Sequence, residues 1–310
     1  MKTPHVSVLL PVFNAEKTIG ESVQSILNQT WTDFELIIID DGSFDNTALV
    51  LDQFSDPRIR RIYQQNVGLP ITLNRSIKVA RGKFLARQDA DDISLPLRLE
   101  KQVHFLERHP EYGLIGTWTQ ILENELLSTR MHCHPTSNGE IQIRLLFNNY
   151  FVHSSVMFRK SVIDITGGYS EKPEDFPPED YELWLRMAHR CKVANLAEPL
   201  IQYRELPNSI SRSKLNLIHS RAQNMARLNL QRVLPNPMQW PQLELLIAIL
   251  NNGKLPLTFK EVRILFGVLR QIRMQYLSFY PEDGVGIRVG FRYCCYSLFK
   301  AYLKQLSFGS

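Results

Sequence analysis

Residues 34–43 read FELIIIDDGS, a largely apolar run that stops at two aspartates, a glycine and a serine. A short apolar run rich in β-branched residues and bounded by turn residues is typical of a strand covered on both faces. Similar runs lie on either side: VSVLLPV at 6–12, and KFLARQ at 83–88, which leads into DADD at 89–92. The stretch therefore predicts strands whose carboxyl ends carry acidic side chains.

Helical patterns separate these strands. Ile19, Val23 and Ile26 fall on one helical face, a weaker strand signal follows at 59–63, and a proline-started helix follows DADD. Strands alternating with helices predict an α/β fold with a Rossmann-like, mostly parallel sheet flanked by helices. Ligands in such sheets bind beyond the carboxyl ends of the strands, where the acidic residues lie.

The chain divides into two predicted domains. Residues 113–204 continue with less regular strand and helix signals, whereas three or four helical segments follow residue 211, near 213–232, 242–251, 259–279 and 287–306. We therefore expect an α/β domain at 1–211 and a helical C-terminal region at 212–310.

Composition describes a globular chain, because 44% of its 310 residues are hydrophobic and 22% are charged. This excludes disordered and collagen-like proteins. The net charge of +5 combines −5 over residues 1–211 with +10 over residues 212–310. Anionic partners are therefore favoured by the C-terminal region.

Four cysteines without a CxxC pair favour a reducing compartment, and the N-terminus lacks the features of a signal peptide. The longest stretch without Asp, Glu, Lys or Arg has 14 residues, at 145–158, which is too short to span a membrane. We expect a cytoplasmic protein, with peripheral association at the inner face of the cytoplasmic membrane as an option.

The acidic cluster at 89–92 is the strongest local chemical signal. Its three carboxylates repel one another, and a hard cation such as Mg²⁺ or Mn²⁺ would neutralise them while leaving coordination positions for phosphates. The structural alternative is a solvated acidic loop or a helix N-cap.

Asp40 and Asp41 form a second acidic strand end. They are either an ordinary turn or carboxylates that accept hydrogen bonds from a base or a ribose. Neither GxGxxG nor GxxxxGK[ST] occurs in the chain. A nucleotide would therefore be bound through metal and carboxylates rather than through a glycine-rich loop.

A third acidic segment, PPEDYELWLR at 177–186, has the features of a helix start. Its carboxylates either complement the helix dipole or supply a general base. A carboxylate at a helix N-terminus stays ionised at neutral pH, as a base must.

Several motifs occur together and in order: VSVLLPVFNAEKTIGESVQSILNQTWTDFELIIIDDGSFDNT at 6–47, NVGLPITLNRSIKVARGKFLARQDADD at 66–92, ISLPLRLEKQ, HSSVMFRKS, GGY and PEDYELWLR. Over about residues 5–211 this series resembles family 2 glycosyltransferases with a GT-A fold. The resemblance implies transfer of a sugar from a nucleotide-diphospho-sugar to an acceptor hydroxyl, with inversion and with a divalent metal, Mn²⁺ or Mg²⁺, on the diphosphate.

The resemblance also assigns residues. The positions that match the surroundings of the base and ribose are Pro11, Phe13, Asn14, Glu16 and Asp41. Asp91 matches the usual metal ligand, and Asp89 and Asp92 match supporting contacts. Asp180 matches the catalytic base and Glu179 its acidic neighbour. Trp184 is placed either on the acceptor side or, as a core aromatic, inside the domain.

Two positions depart from the family pattern. Leu73 stands where many relatives have arginine, so a diphosphate or base contact is lost, and Arg87 and Arg75 are the candidate replacements. Leu206 stands where relatives often have histidine, in YRELPNSIS at 203–211. His153 is a candidate imidazole, with a structural role as the alternative. The absence of QxxRW favours single addition over processive synthesis.

The expected donor is a UDP-sugar, and the expected acceptor is a saccharide or lipid-linked saccharide in cell-surface polysaccharide synthesis. The basic, aromatic segments at 262–280 and 287–306 suit either an anionic membrane interface or a helical bundle or dimer contact. Nucleic acid is not expected, because no binding motif accompanies the basic residues. A non-catalytic scaffold and a sugar nucleotidyltransferase are the other function classes, although the latter would normally carry a Gly-rich, Lys-containing loop after the first strand.

Overall fold

The computed structural model describes residues 3–123, 125–206, 214–234, 240–252 and 257–306. The chain forms two compact units. The first unit combines residues 1–134 with 151–213, and the second combines residues 135–150 with 214–310.

All described strands belong to one sheet in the first unit. They are β1 (Val6–Val12), β2 (Phe34–Asp40), β3 (Ile59–Tyr63), β4 (Phe84–Arg87), β5 (Ile93–Ser94), β6 (Tyr112–Glu123), β7 (Leu126–His132), β8 (Met157–Arg159) and β9 (Lys192–Glu205). Their order is β3-β2-β1-β4-β8-β6-β9-β5, with β7 paired to β6. The strands β3, β2, β1 and β4 are parallel, as are β6 and β9, whereas β8 runs antiparallel to both β4 and β6.

The described helices number eleven and lie in both units. They are α1 (Ile19–Leu27), α2 (Thr47–Leu51), α3 (Leu69–Val79), α4 (Arg98–Arg108), α5 (Asn138–Leu145), α6 (Lys160–Thr166), α7 (Glu179–Ala188), α8 (Leu215–Val233), α9 (Trp240–Asn252), α10 (Phe259–Phe279) and α11 (Gly284–Leu306). Short 3-10 turns occupy His153–Ser155, Pro173–Asp175 and Pro281–Asp283.

The sheet is covered on both faces near its centre. Every residue of β1 and β2 is buried. Val8 and Leu36 share one core with Val23 of α1 and Leu99 of α4. A strand buried on both faces needs a continuous apolar run, which is the pattern that the sequence carries at 6–12 and 34–39.

The predicted fold class is confirmed: a mixed α/β sheet is flanked by helices, and a helical C-terminal region follows. The parallel arrangement is strongest at β1 to β4, where α1, α2 and α3 lie between successive strands. The later part of the sheet contains antiparallel pairs, because β8 inserts between β4 and β6 in the opposite direction.

The second unit takes in α5, which the sequence analysis assigns to the first domain. Its Ile143 is buried in one core with Leu246, Leu265 and Leu298. The helix α5 can approach α11 closely because Gly290 of α11 has no side chain. A Cβ atom at Gly290 would lie only 2.9 Å from Cβ of Ile143. The expected boundary near residue 212 lies outside the described residues. Within the described ranges, no helix is long and apolar enough to cross a membrane.

Candidate active site

The site is built at one edge of the sheet, where three parallel strands end. The strands β2, β1 and β4 are neighbours in register, so their carboxyl ends lie side by side. Asp41 follows β2, Asn14 follows β1 and Asp89 follows β4. The fold therefore brings the two acidic strand ends of the sequence to one edge of the sheet.

The loop after β1 is tied to the loop after β2. Asn14, with a φ of 49°, donates its backbone N–H to Ser43 Oγ at 2.9 Å, and its Oδ1 accepts from the Phe44 N–H at 2.9 Å. Glu16 Oε2 accepts from both nitrogens of Asn46. The polar atoms of Asn14 and Glu16 thus hold the two loops together, whereas the exposed rings of Phe13 and Phe44 lie edge to face at 5.8 Å.

Pro11 lies inside β1 and is buried, so it supports the strand end rather than presenting a surface to a ligand. Exposure changes sharply along this segment. Residues of β1 up to Val12 are buried in the sheet, and Phe13 is the first residue beyond it. Of the four β1-loop positions assigned from the resemblance, Phe13 has the most exposed side chain.

Asp41 organises the loop that begins α3. Its Oδ1 accepts hydrogen bonds from Gln64 Nε2 at 2.6 Å and from the Val67 N–H at 3.0 Å, and its Oδ2 accepts from the Gly68 N–H at 2.9 Å. Gln64 in turn accepts from Arg75 Nη1 at 2.6 Å. Arg75 is therefore linked to Asp41 through one glutamine, whereas Leu73 is fully buried and cannot reach a ligand.

The DADD segment follows β4 and contains both exposed and buried carboxylates. Asp89 is 30% exposed and accepts from Arg87 Nη2. Burial, together with the nearby charge of Asp89, raises the pKa of Asp91 to about 6. A carboxyl group in this condition lacks sufficient positive charge around it, which is the electrostatic situation that a bound cation relieves.

Asp92 joins three segments of the first unit. It is buried, accepts from Ser154 Oγ, and accepts from the Arg204 N–H at 2.8 Å. Arg204 also donates from Nε to the Asp91 carbonyl at 2.8 Å, and its guanidinium pairs with Glu21 and Glu125. Burial and the charge of Asp91 raise the pKa of Asp92. The contacts of Asp92 to Ser154 and Arg204 hold the loop in place.

A fully buried arginine supports the acidic loop from below. Arg98, at the start of α4, donates to Gln88 Oε1 at 2.9 Å, to Ser94 Oγ at 2.8 Å and to the Arg87 carbonyl at 2.6 Å. Burial lowers its pKa to about 9. Arg98 belongs to the ISLPLRLEKQ motif, but no role could be assigned to it from the sequence, because its partners become neighbours only in the folded chain.

The PPED segment places its two acids at the N-terminus of α7. Glu179 is buried, and burial together with the charge of Asp180 raises its pKa to about 8. Asp180 is less buried, and its Oδ1 accepts from the Tyr181 N–H at 2.7 Å. Neighbouring acids that occupy different environments can take different protonation states at neutral pH.

Tyr169 is held by Asn74 and by His153. Its backbone N–H and carbonyl both bond to the Asn74 side chain, at 2.8 and 2.9 Å, and its hydroxyl lies 2.8 Å from His153 Nε2. Burial is the main cause of its raised pKa. The residue after His153, Ser154, donates from Oγ to Asp92, and His153 itself lies beside Glu179. One short turn therefore contacts both DADD and PPED.

His153 is a structural member of this cluster. Its ring lies 5.9 Å from Trp184, and its Nδ1 is 3.7 Å from Glu179 Oε1. Burial and the positive charge of Arg87 hold its pKa well below the usual range, so the imidazole is neutral at pH 7. It orients Tyr169 and borders Glu179.

The acceptor-side placement of Trp184 is wrong in this structure, because the side chain has no exposed surface. It packs against Phe151, Phe158 and Tyr169 at ring distances of 6.2, 6.0 and 6.3 Å. The helical spacing that placed it on the apolar face of α7 is a core signal. Leu206 is the residue directly after β9. Residues 207–211 of the same motif lie outside the described residues.

The chemistry of the cluster fits a divalent cation bound together with a diphosphate. Among the described residues, no group of three His, Cys, Asp or Glu side chains surrounds a common ion position. One or two carboxylates with phosphate oxygens as the remaining ligands is, however, the usual arrangement for Mg²⁺. In the same part of the molecule the buried Arg87 Nε has no hydrogen-bond partner among the described atoms, as expected of a donor that awaits an anion.

Comparison with known proteins identifies the family of the chain. The sequence model described as Glycosyl transferase family 2 matches residues 7–166. The O-antigen biosynthesis glycosyltransferase WbnJ of Escherichia coli is 34% identical over 74% of this chain and 91% of its own length. The UDP-Glc:alpha-D-GlcNAc-diphosphoundecaprenol beta-1,3-glucosyltransferase WfgD of Escherichia coli is 29% identical over 67% of this chain and 80% of its own length.

Solved structures share the fold at low sequence identity. Staphylococcus aureus TarS 1-349 in complex with UDP-GlcNAc has a TM-score of 0.62 and 15% identity, covering 96% of this chain and 92% of that chain. The mannosyltransferase PcManGT of Pyrobaculum calidifontis, in complex with GDP-Man and Mn²⁺, has a TM-score of 0.55 and 14% identity, covering 99% and 88%. The chain belongs to glycosyltransferase family 2 and has the GT-A fold.

Proposed function

We propose that this family 2 glycosyltransferase is an inverting, metal-dependent enzyme that transfers a sugar from a nucleotide-diphospho-sugar to an acceptor hydroxyl. The proposed donor is a UDP-sugar, and the proposed acceptor is a saccharide or lipid-linked saccharide in cell-surface polysaccharide synthesis. The names of WbnJ and WfgD support this choice, since they record O-antigen biosynthesis and a UDP-Glc donor with a diphosphoundecaprenol acceptor. A UDP-sugar complex of TarS supports the donor class.

One observation carries the mechanism: the turn His153–Ser155 contacts both acidic segments, since Ser154 Oγ donates to Asp92 and His153 Nδ1 lies 3.7 Å from Glu179 Oε1. A direct displacement needs a group that stabilises the departing nucleoside diphosphate and, separately, a base for the acceptor hydroxyl. Two acidic segments that meet at one site can divide these tasks, with DADD on the donor side and PPED on the acceptor side.

Asp180 is the proposed base. The acceptor oxygen forms its bond to the anomeric carbon while the bond from that carbon to the diphosphate breaks, and the hydroxyl proton passes to the Asp180 carboxylate. Glu179 stays protonated at neutral pH because of its burial, and therefore adds no second negative charge beside the base. Attack from the side opposite the leaving group inverts the anomeric configuration.

On the donor side, Asp91 would hold Mn²⁺ or Mg²⁺, with Asp89 beside it. When bound, the metal would supply positive charge against the charge that develops on the leaving diphosphate. Arg87 is placed to add a fixed positive charge next to Asp89. Phe13 would lie against the nucleobase, beside the loop that Asp41 holds in place.

Replacement of Asp180 by Asn tests the assignment of the base. Transfer should fall about 10³-fold, because general base catalysis typically contributes 10²–10⁴-fold, whereas donor affinity should stay within about threefold. Sugar transfer to a saccharide acceptor and calorimetric titration with UDP and Mn²⁺ give the two readouts. Glu182→Gln is the matched control on the same helix: it removes one acidic charge, and transfer should persist. A fully active Asp180→Asn protein would remove Asp180 from the role.

Product analysis separates the other function classes. Release of inorganic pyrophosphate would indicate a nucleotidyltransferase and contradict the proposal. If UDP affinity is the same with and without Mn²⁺ and no donor is turned over, the protein is a non-catalytic scaffold. A thermal-shift screen of nucleotide sugars with and without Mn²⁺ identifies the donor, since a ligand that binds the folded state raises the melting temperature.

We also propose cytoplasmic location, with peripheral association at the inner membrane face through the C-terminal region.

A further inference from the structure

The helices α10 and α11 of the second unit each bury one face and expose the opposite one. Leu265 and Ile272 of α10 share a core with Ile287 and Leu298 of α11. Phe259, at the start of α10, lies 6.5 Å from Tyr302, near the end of α11, so the two helices run antiparallel. Each helix therefore exposes the side that lies opposite its own buried residues.

The exposed stripe of α11 contains apolar and aromatic residues rather than the usual polar ones. They recur at intervals of three, four or seven residues, so they follow one line along the helix. Tyr296 is 63% exposed and Val285 is 69% exposed. The stripe consists of Val285, Val289, Tyr296, Phe299 and Leu303. At 1.5 Å per residue, a helix of this length extends over roughly 35 Å.

Basic side chains flank the stripe, and acidic ones are absent from α11. Arg288, Arg292 and Lys300 are exposed beside the apolar residues. The neighbouring α10 continues the pattern with exposed Phe259, Arg263, Arg270 and Met274. Among the side chains that the structure describes, none of these five cations is engaged in an ion pair. The face is therefore both apolar and positively charged.

We propose that this face, the basic-aromatic face formed by the exposed residues of α10 and α11, docks on the surface of a bilayer that contains anionic lipids. Large apolar side chains between Arg and Lys on one side of a long helix have the composition of interfacial helices. Apolar rings enter the boundary between headgroups and acyl chains, and the cations contact lipid phosphates. A second copy of the same face is a poor partner, because its charges would repel.

The proposal locates the membrane association named under the proposed function at specific residues. Its test needs neither donor nor acceptor, so failure of the reaction and failure of membrane binding are read separately. Co-sedimentation of the full chain with phosphatidylcholine vesicles, with and without phosphatidylglycerol, gives the primary measurement. Binding should require phosphatidylglycerol and should weaken as salt is added, because salt screens exposed charges.

Neutralising two cations on the face should weaken binding strongly. Each basic residue near an anionic surface contributes about 1 kcal/mol, so Arg292→Gln combined with Lys300→Gln should reduce vesicle affinity about 30-fold. The control combines Lys78→Gln with Arg190→Gln, which are exposed cations of the first unit. It makes the same change in net charge and should bind vesicles like the wild type.

Replacing apolar residues distinguishes insertion from attraction alone. Tyr296→Ser combined with Phe299→Ser leaves the charge unchanged and should lower vesicle affinity at least tenfold, since two aromatic side chains no longer enter the interface. Far-ultraviolet circular dichroism checks that each variant is folded. The proposal would be overturned if the wild-type protein did not bind anionic vesicles. It would also be overturned if the combined Arg292→Gln and Lys300→Gln protein bound them as tightly as the wild type. A dimer that dissociates only in the Ser variant would assign the face to self-association instead, and would also overturn it.

Discussion

Charged residues play opposite roles at the sheet edge of the first unit and on the basic-aromatic face of the second. At the sheet edge Arg87, Arg98 and Asp92 are almost completely buried, and each bonds to named partners. On the basic-aromatic face, Arg292 and Lys300 are exposed. Buried charge fixes positions and shifts pKa values, whereas exposed charge acts on surfaces and is screened by salt. The net charge of +5 is the sum of two regions in which charged residues have different roles.

The largest expected effect of a single buried charge on stability is at Arg98. Arg98→Met removes five hydrogen bonds and leaves oxygen acceptors without a donor, among them the Arg87 carbonyl and Gln102 Oε1. Unpaired buried polar groups cost 1–3 kcal/mol each, so we expect a loss of about 3 kcal/mol in the free energy of unfolding. Urea denaturation measures it. Arg108→Met, at the exposed end of the same helix, is the control and should cost under about 0.5 kcal/mol. If both variants lost the same free energy of unfolding, buried and exposed arginines would not differ in their contribution to stability.

The next effect concerns the buried acid Glu179 and its dependence on pH. Its pKa is raised from the ordinary value to about 8, so between those values the folded state holds a proton that the unfolded state has lost. Stability from this group is therefore present at low pH and falls as pH rises toward 8, by up to about 1.4 kcal/mol per pH unit. Glu179→Gln removes the titration.

Melting temperatures of the wild type and Glu179→Gln, measured from pH 5 to pH 8, check this sign. The melting temperature of the variant should rise relative to that of the wild type as pH increases. Curves that stay parallel over this range would show that Glu179 is ionised in the folded protein, and would weaken the view that Asp180 carries the local negative charge.

The smallest expected effect is on chemistry when the basic-aromatic face is changed. The combined Arg292→Gln and Lys300→Gln protein should transfer sugar to a soluble saccharide acceptor at a rate within about twofold of the wild type, because surface substitutions away from a site usually leave it intact. Initial rates with saturating donor give the comparison. A large loss with a soluble acceptor would mean that the two regions are not separate in function.

The sequence predicted those parts of the fold that depend on local patterns. The apolar runs at 6–12 and 34–39 match the observed β1 and β2 closely, and the weaker signal at 59–63 matches β3. The acidic strand ends were visible because aspartates interrupt such runs. Membership of the family follows from the order of several motifs, and comparison confirms it.

Long-range contacts could not be predicted from local patterns. The helix α5 joins the second unit because Gly286 and Gly290 of α11, about 150 residues away, leave room for it. Arg204 reaches Asp91 and Asp92 only because β9 returns beside β5 and β6. Asn14 and Glu16 match ligand-binding positions, yet their polar atoms hold a loop, since burial and partners depend on the folded chain.

The proposed mechanism requires that the DADD and PPED segments form one site on the first unit. Mn²⁺ is paramagnetic and broadens the nuclear magnetic resonance signals of nearby protons, so it reports on this claim directly. His153 bonds to Tyr169 and borders Glu179, whereas His5 lies at the opposite, amino-terminal end of β1, some 20 Å along the strand. His153→Gln and His5→Gln assign the two ring signals.

Adding Mn²⁺ with UDP to the full chain should broaden the His153 ring signal and spare that of His5. The same addition to Asp91→Asn should leave both signals sharp, because the proposed metal ligand is gone. A His153 signal that stays sharp in the wild-type protein while UDP and Mn²⁺ bind would separate the metal from the proposed base, and would contradict the account.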